Sequence, residues 1–182
     1  MTRELRLPFD PIERAGENWE RTWGPATAMR AATSVFRAQQ ILLARFDEAL
    51  RPYELTFARY EALVLLRFSR TGTLPLKVIG SRLMVHPTSV TNTVERLAAA
   101  GLVQRRPNPA DGRGILASIT ESGRSIVERA TRDLMDVDFG LANIGDERLE
   151  DLYQTLRDVR YAAGDVSGTA SVSSGQRPST GN

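Results

Sequence analysis

The chain has 182 residues, 41% of them apolar, a formal charge of +2 and no cysteine. That length suits one domain with extensions, and the missing thiol excludes disulfides, thiol redox sensing and thiolate metal sites. No apolar run approaches bilayer length and the N-terminus lacks a signal peptide's apolar block, so a soluble, cytoplasmic protein with no membrane role is expected.

Residues 1–25 read as a polar, proline-containing arm in which Trp19 and Trp23 share one face of a short helix. Apolar side chains then recur at Met29, Ala32, Phe36, Leu43, Phe46 and Leu50, a 3-4 spacing that predicts a helix over 26–50. Arg51-Pro52 ends it. Thr56 is placed to cap the next helix, whose inward stripe is Tyr60, Leu63, Val64 and Phe68. After a turn at 69–72, a short helix over 76–84 points Ile79 and Leu83 inward. Pro87 opens another, with Val90, Val94 and Leu97 toward the core and Gly101 as a left-handed stop. Paired strands are expected over 102–106 and 115–120, joined by a loop over 107–114 too long for a tight hairpin. Thr120 opens a long helix bearing Ile126, Ala130, Leu134, Val137 and Leu141 on one side. A last helix, about 145–163, carries Leu149, Leu152, Leu156 and Val159. Residues 164–182, poor in large apolar side chains, are expected to be disordered.

Charge is distributed unevenly along this order. From Arg67 to Gly114 eight Lys and Arg face only Glu95 and Asp111, a net +6, whereas residues 121–165 carry six Arg against eleven acids, a net −5. Every cationic side chain except Lys77 is arginine, whose planar donor fork suits phosphate. GC-rich codons would account for the choice of arginine but not for its clustering. A basic middle behind a near-neutral total points to a polyanion partner, with double-stranded DNA the first candidate.

The elements around that middle read as a helix-turn-helix followed by a wing. Such a motif lays its second helix in the major groove, where side chains near the helix start reach base edges. Here those are Thr88, Ser89, Thr91 and Asn92; Asn can pair bidentately with adenine, and Thr can touch a thymine methyl. The alternative for Thr88 and Ser89 is that they only satisfy free N–H groups at the helix start. Arg113, between two glycines at the tip of the wing, can enter a narrow minor groove. Its alternative is a solvated surface arginine. Arg105 and Arg106 at the wing's base are expected on backbone phosphate, and Arg96 with Asp111 as an ion pair that sets the wing angle.

The outer helices carry more apolar surface than a small winged core can cover. A second copy, with first and last helices interleaved in a twofold dimer, is the economical solution; a larger monomeric bundle is the alternative. The expected fold is therefore mainly α with a small β-wing, a winged helix-turn-helix core (about 55–120) flanked by long dimerisation helices (about 26–50 and 121–163). The arm (1–25) and tail (164–182) lie outside that domain of residues 26–163.

Three stretches carry a family likeness. Leu55-Thr56-Phe57-Ala58-Arg59-Tyr60-Glu61-Ala62-Leu63 resembles the second-helix signature of the MarR family of transcriptional regulators. Residues 87–103 resemble its recognition helix and helix end, and Asp111-Gly112-Arg113 with Ile119-Thr120-Glu121-Ser122-Gly123 is similar to its wing and the entry to its long dimer helix. The resemblance implies a dimeric winged-helix DNA binder, usually a repressor on a pseudo-palindromic operator, released by a small aromatic or phenolic effector. It also implies that Arg113 is the wing arginine of the minor groove. His86 stands where the family often has Ser, and is read as a cap or phosphate neighbour; Asn92 replaces a commoner basic residue. Without cysteine the peroxide-sensing branch is excluded. The arm is similar to that of a urate-responsive branch, with Trp19 at its Trp and Glu61 at its Asp, but Thr93 stands where that branch has Arg. Trp19, Trp23, Phe36 and Tyr60 are the candidate effector contacts; for the two tryptophans the alternative is packing at the dimer interface.

Catalysis needs a positioned group with a partner. One His, no Cys, no glycine-rich phosphate loop and no His-Glu-x-x-His imply no enzyme, metal or cofactor. The remaining competitor is a winged helix that binds only protein.

Overall fold

The computed structural model describes residues 7–166, so the expectation of a disordered tail falls almost entirely outside the described residues. The chain divides into two compact units, residues 1–140 and 141–182. The first contains α1 (Pro11–Thr22), α2 (Thr27–Leu50), α3 (Phe57–Phe68), β1 (Thr73–Pro75), α4 (Leu76–Leu83), α5 (Pro87–Ala99), β2 (Val103–Asn108), β3 (Asp111–Ile119) and α6 (Glu121–Asp136). The second contains α7 (Asp146–Ala162), which has no buried residue.

α1 begins where Asp10 accepts the amides of Ile12 and Glu13 and Pro11 fills the first position. It packs on α2 through Glu20, paired with Arg30 at 2.7 Å. Gly16 lies beneath the Arg30 side chain, where a Cβ would collide with the guanidinium. In α2 the apolar stripe divides in two: Phe46 and Leu50 are buried, but Val35, Phe36 and Ile41 are 48%, 66% and 45% exposed.

α3 departs from expectation at both ends. Thr56 has the extended backbone of a cap but makes no side-chain cap bond; Asp47 Oδ1 of α2 instead accepts the Phe57 amide at 2.8 Å. Phe68, expected inward, is 80% exposed. The stripe is set by Tyr60, Leu63 and Leu66, all buried, and Phe68 lies about 200° around the helix from Leu66.

α4 and α5 pack together on this core, whose fully buried side chains include Leu63, Leu66, Ile79, Val94, Leu97 and Leu134. Gly101 ends the second helix with φ +72, as its left-handed role required. The three-stranded antiparallel sheet runs β1-β3-β2, with Thr73 opposite Ser118 and Val103 opposite Ile119. β1, three residues long, had no periodic signal to announce it. The wing is also tighter than expected: the strands stay paired as far as Asn108 and Asp111, around Pro109-Ala110, with a register shift at Pro107/Asn108. β2 is an edge strand, so Pro107, lacking an N–H, is tolerated at that bulge.

Thr120 caps α6, its hydroxyl accepting the Gly123 amide and donating to Gly101 O. Gly123 lies so close to Leu102 O that a Cβ there would clash with it. α6 stops at Asp136 rather than 141 because Asp138 and Phe139 turn left-handed (φ 46 and 49), bringing Phe139 edge-on to Phe46 at 6.0 Å. Val137, expected on the inward side, is 44% exposed. The class is as expected: mainly helical, with a small wing on a helix-turn-helix flanked by long helices.

Candidate nucleic-acid interface

α5 buries Val90, Val94 and Leu97 and leaves Thr88, Ser89 and Asn92 exposed, with Thr91 half-buried beside them. The helix start is closed by His86, whose Nδ1 accepts the Thr88 amide at 3.3 Å, so the only histidine acts as a cap. Thr91 Oγ1 donates to Pro87 O at 3.0 Å, turning its hydroxyl back on its own helix. Asn92 Oδ1 accepts from Arg96 Nε at 3.1 Å. A bidentate pair with adenine would have to share or displace that bond. Thr88 and Ser89 keep their hydroxyls free of such contacts among the described residues.

The expected pair between Arg96 and Asp111 is not formed. Arg96 is engaged with Asn92, and Asp111 Oδ1 accepts the Arg113 amide at 3.2 Å, shaping the wing tip. The link between helix and wing is Arg105 Nη1 to Glu95 Oε1 at 3.0 Å. Strand alternation explains it: Arg105 shares a face with buried Val103, toward α5, while Arg106 points to the other face. Arg105 is thus a partnered side chain, and the two wing-base arginines, paired in the sequence reading, have different surroundings. Arg106 and Arg113 are exposed, and among the described residues neither guanidinium has a bonding partner. The sequence signal overlooked was Glu95, the other acid of the basic window.

Of the candidate effector contacts, Tyr60 lines a cavity. It belongs to a cleft of about 330 Å³ between α3 and α6, with Val64, Phe68, Val127, Thr131, Arg132 and the ion pair of Arg67 and Glu128 (3.1 Å). The Tyr60 hydroxyl lies 3.0 Å from Thr131 Oγ1. Trp19 and Trp23 instead meet edge-to-face at 4.7 Å on α1, with Trp23 71% exposed, and Phe36 sits exposed on α2. A second, small cavity inside the helix-turn-helix brings Glu61 and Thr93 together with Ile79, Leu83 and Val90. Burial pushes the Glu61 carboxyl above its ordinary value. Among the described residues no cluster of His, Asp or Glu could hold a metal ion. No helix is long and apolar enough to cross a membrane, again among the described residues.

The model of the MarR family matches residues 55–115, the segment from the start of α3 into β3. The MarR family transcriptional regulator Sco5413 of Streptomyces coelicolor is 58% identical, with a TM-score of 0.73 over 78% of this chain and 98% of its own. The chain belongs to the MarR family. Two further comparisons fit this MarR-type chain. An HTH-type transcriptional regulator of Mycobacterium bovis is 34% identical over 102 residues, covering 56% of this chain and 66% of its own length. The S. coelicolor regulator Sco3205, whose structure is a complex with DNA, is 23% identical with a TM-score of 0.70, over 77% of this chain and 89% of its own. The latter likeness is one of fold.

Proposed function

We propose that this MarR-family chain is a sequence-specific regulator of transcription that binds double-stranded DNA as a homodimer on a pseudo-palindromic operator in the cytoplasm. One observation carries the reading. The exposed start of α5 and the unpartnered Arg113 at the wing tip belong to one +6 segment, the arrangement that fills a major groove and the minor groove beside it. Thr88, Ser89, Thr91 and Asn92 approach the base edges or their phosphates, Arg106 contacts backbone phosphate, and Arg105 chiefly holds the wing against α5 through Glu95. That Sco3205 is known in complex with DNA supports this use of the fold over a protein-only module.

The dimer is supported by the uncovered apolar side chains of α2. A small aromatic or phenolic acid fits the cleft of Tyr60, Val64 and Phe68, whose volume of about 330 Å³ is within the range of small-molecule pockets. Arg132 supplies a cation for such an acid's carboxylate, and repression relieved by it is the regulatory sense of the reading.

Arg113→Ala should weaken operator binding and reduce the slope of log affinity against log salt by about one unit. An unchanged affinity and slope would remove the wing from the mechanism. Footprinting should protect two half-sites related by a dyad and about one helical turn apart.

A further inference from the structure

We propose that the cleft between the start of α3 and the outer face of α5 seats a phosphate of the DNA backbone, with Arg59 as its contact from outside the basic segment. The inference rests on the DNA-binding reading and adds a site to it. The cleft holds about 260 Å³ and is lined by Thr56, Arg59, Ser89, Asn92, Thr93 and Arg96. Every one of these side chains can hydrogen-bond, and none is a carboxylate.

Spacing explains why they converge. Ser89, Asn92, Thr93 and Arg96 fall at i, i+3, i+4 and i+7, a single row along α5, and Thr56 and Arg59 are one turn apart at the start of α3. The Arg59 guanidinium is already held in place: Nη1 donates to Glu54 O at 2.8 Å, at a residue whose backbone is left-handed (φ 56). One of its N–H groups is used there, and the rest of the fork is available. Arg96 is similarly anchored through Nε on Asn92, which leaves its two terminal nitrogens and the Asn92 NH₂ as donors. Arg30, Arg67 and Arg105 all have a glutamate within 3.1 Å, but neither Arg59 nor Arg96 has an acidic partner among the described residues.

Two unneutralised, pre-positioned guanidinium forks with hydroxyls between them are complementary to a phosphodiester, which carries one negative charge and accepts several hydrogen bonds at once. The row that lines the cleft continues the exposed side chains expected at the groove, so the nearest anion in a docked duplex is a phosphate at the groove's edge. Base reading is left to Thr88, which lies outside the cleft.

The test uses the full chain and its footprinted operator. Arg59→Gln should lower affinity on the order of tenfold and make the salt slope shallower by about 0.9, equally for every operator variant. Arg59→Lys should restore the slope while recovering only part of the affinity. Methylphosphonates placed singly along the operator should reveal one phosphate per half-site whose neutralisation weakens the wild type clearly more than Arg59→Gln, whose remaining loss comes through Arg96. Because the substitution also removes the bond to Glu54, melting curves accompany it, and Arg96→Gln probes the opposite wall at the same phosphate. A folded Arg59→Gln protein with unchanged affinity and slope overturns the site. So does a loss confined to one base pair, or a cleft that takes inorganic phosphate while operator binding ignores the substitution. A wild-type chain that binds no duplex overturns the DNA-binding reading itself, a different result from a wild type that binds and an Arg59 variant that binds as well.

Discussion

The helix-turn-helix and the long second helix treat their apolar residues in opposite ways. Leu63, Leu66, Ile79, Val94 and Leu97 are essentially sealed from solvent, in one core that also takes in Phe46 and Leu50 from the end of α2 and Val127, Ala130 and Leu134 from α6. On α2 the buried side chains lie in the last two turns, and Phe36 remains 66% exposed in the middle of a 24-residue helix. The helix-turn-helix core is therefore closed within the chain, with the end of α2 and with α6 as part of its wall. The long helix carries apolar surface that this chain leaves open, which is what a symmetric partner would cover.

Substitutions can break or sharpen that contrast. Leu97→Ala should be the costliest, roughly 2–5 kcal/mol, because it empties a site at 0% exposure between the recognition helix and the core; urea unfolding measures it, and a change below about 1 kcal/mol would mean the core tolerates collapse there. Phe36→Asp should act on association instead, shifting the sedimenting species from dimer to monomer while the helical signal persists. An unaltered sedimentation coefficient would place the interface elsewhere. Asp47→Ala removes the acceptor of the Phe57 amide and should cost about 1 kcal/mol. If Thr56→Ala proves the more damaging of the two, the cap has been misassigned.

The smallest effect concerns Glu61. Its carboxyl is raised by burial in the folded chain, so its contribution to stability is fully present below the ordinary carboxylate range and is lost as pH rises through the raised folded value. Glu61→Gln should therefore help stability more near neutral pH than at about pH 4. Urea midpoints at the two pH values check the order, and the reverse order would require an unrecognised cation beside the carboxylate.

Elements with a strong local period are legible in the sequence: Val90, Val94 and Leu97 give the face of α5, Pro87 its start and Gly101 its end. The exposed start of that helix and the wing-tip arginine were legible too, since both follow from position in the motif. What escaped depends on contacts between elements. Asp47 caps a helix that begins ten residues later, and Arg105 finds Glu95 across a strand-helix contact that charge counting could not choose over Asp111. Phe68 was misplaced by phase, since a stripe drawn through Tyr60 and Val64 continues to it, whereas the stripe through Leu63 and Leu66 does not. Arg59 fell outside the basic window, and only the folded chain sets it opposite Arg96. The left-handed pair at Asp138 and Phe139, which ends α6 early, has no glycine to mark it.

The carboxylate that α2 lends to α3 has a mechanical corollary. Two rods joined by such a clasp cannot pivot independently: sliding the first withdraws the acceptor from the second, whose opening turn is then free to unwind. The position of the long rod is thereby tied to the opening turn of the next by one amide and its acceptor.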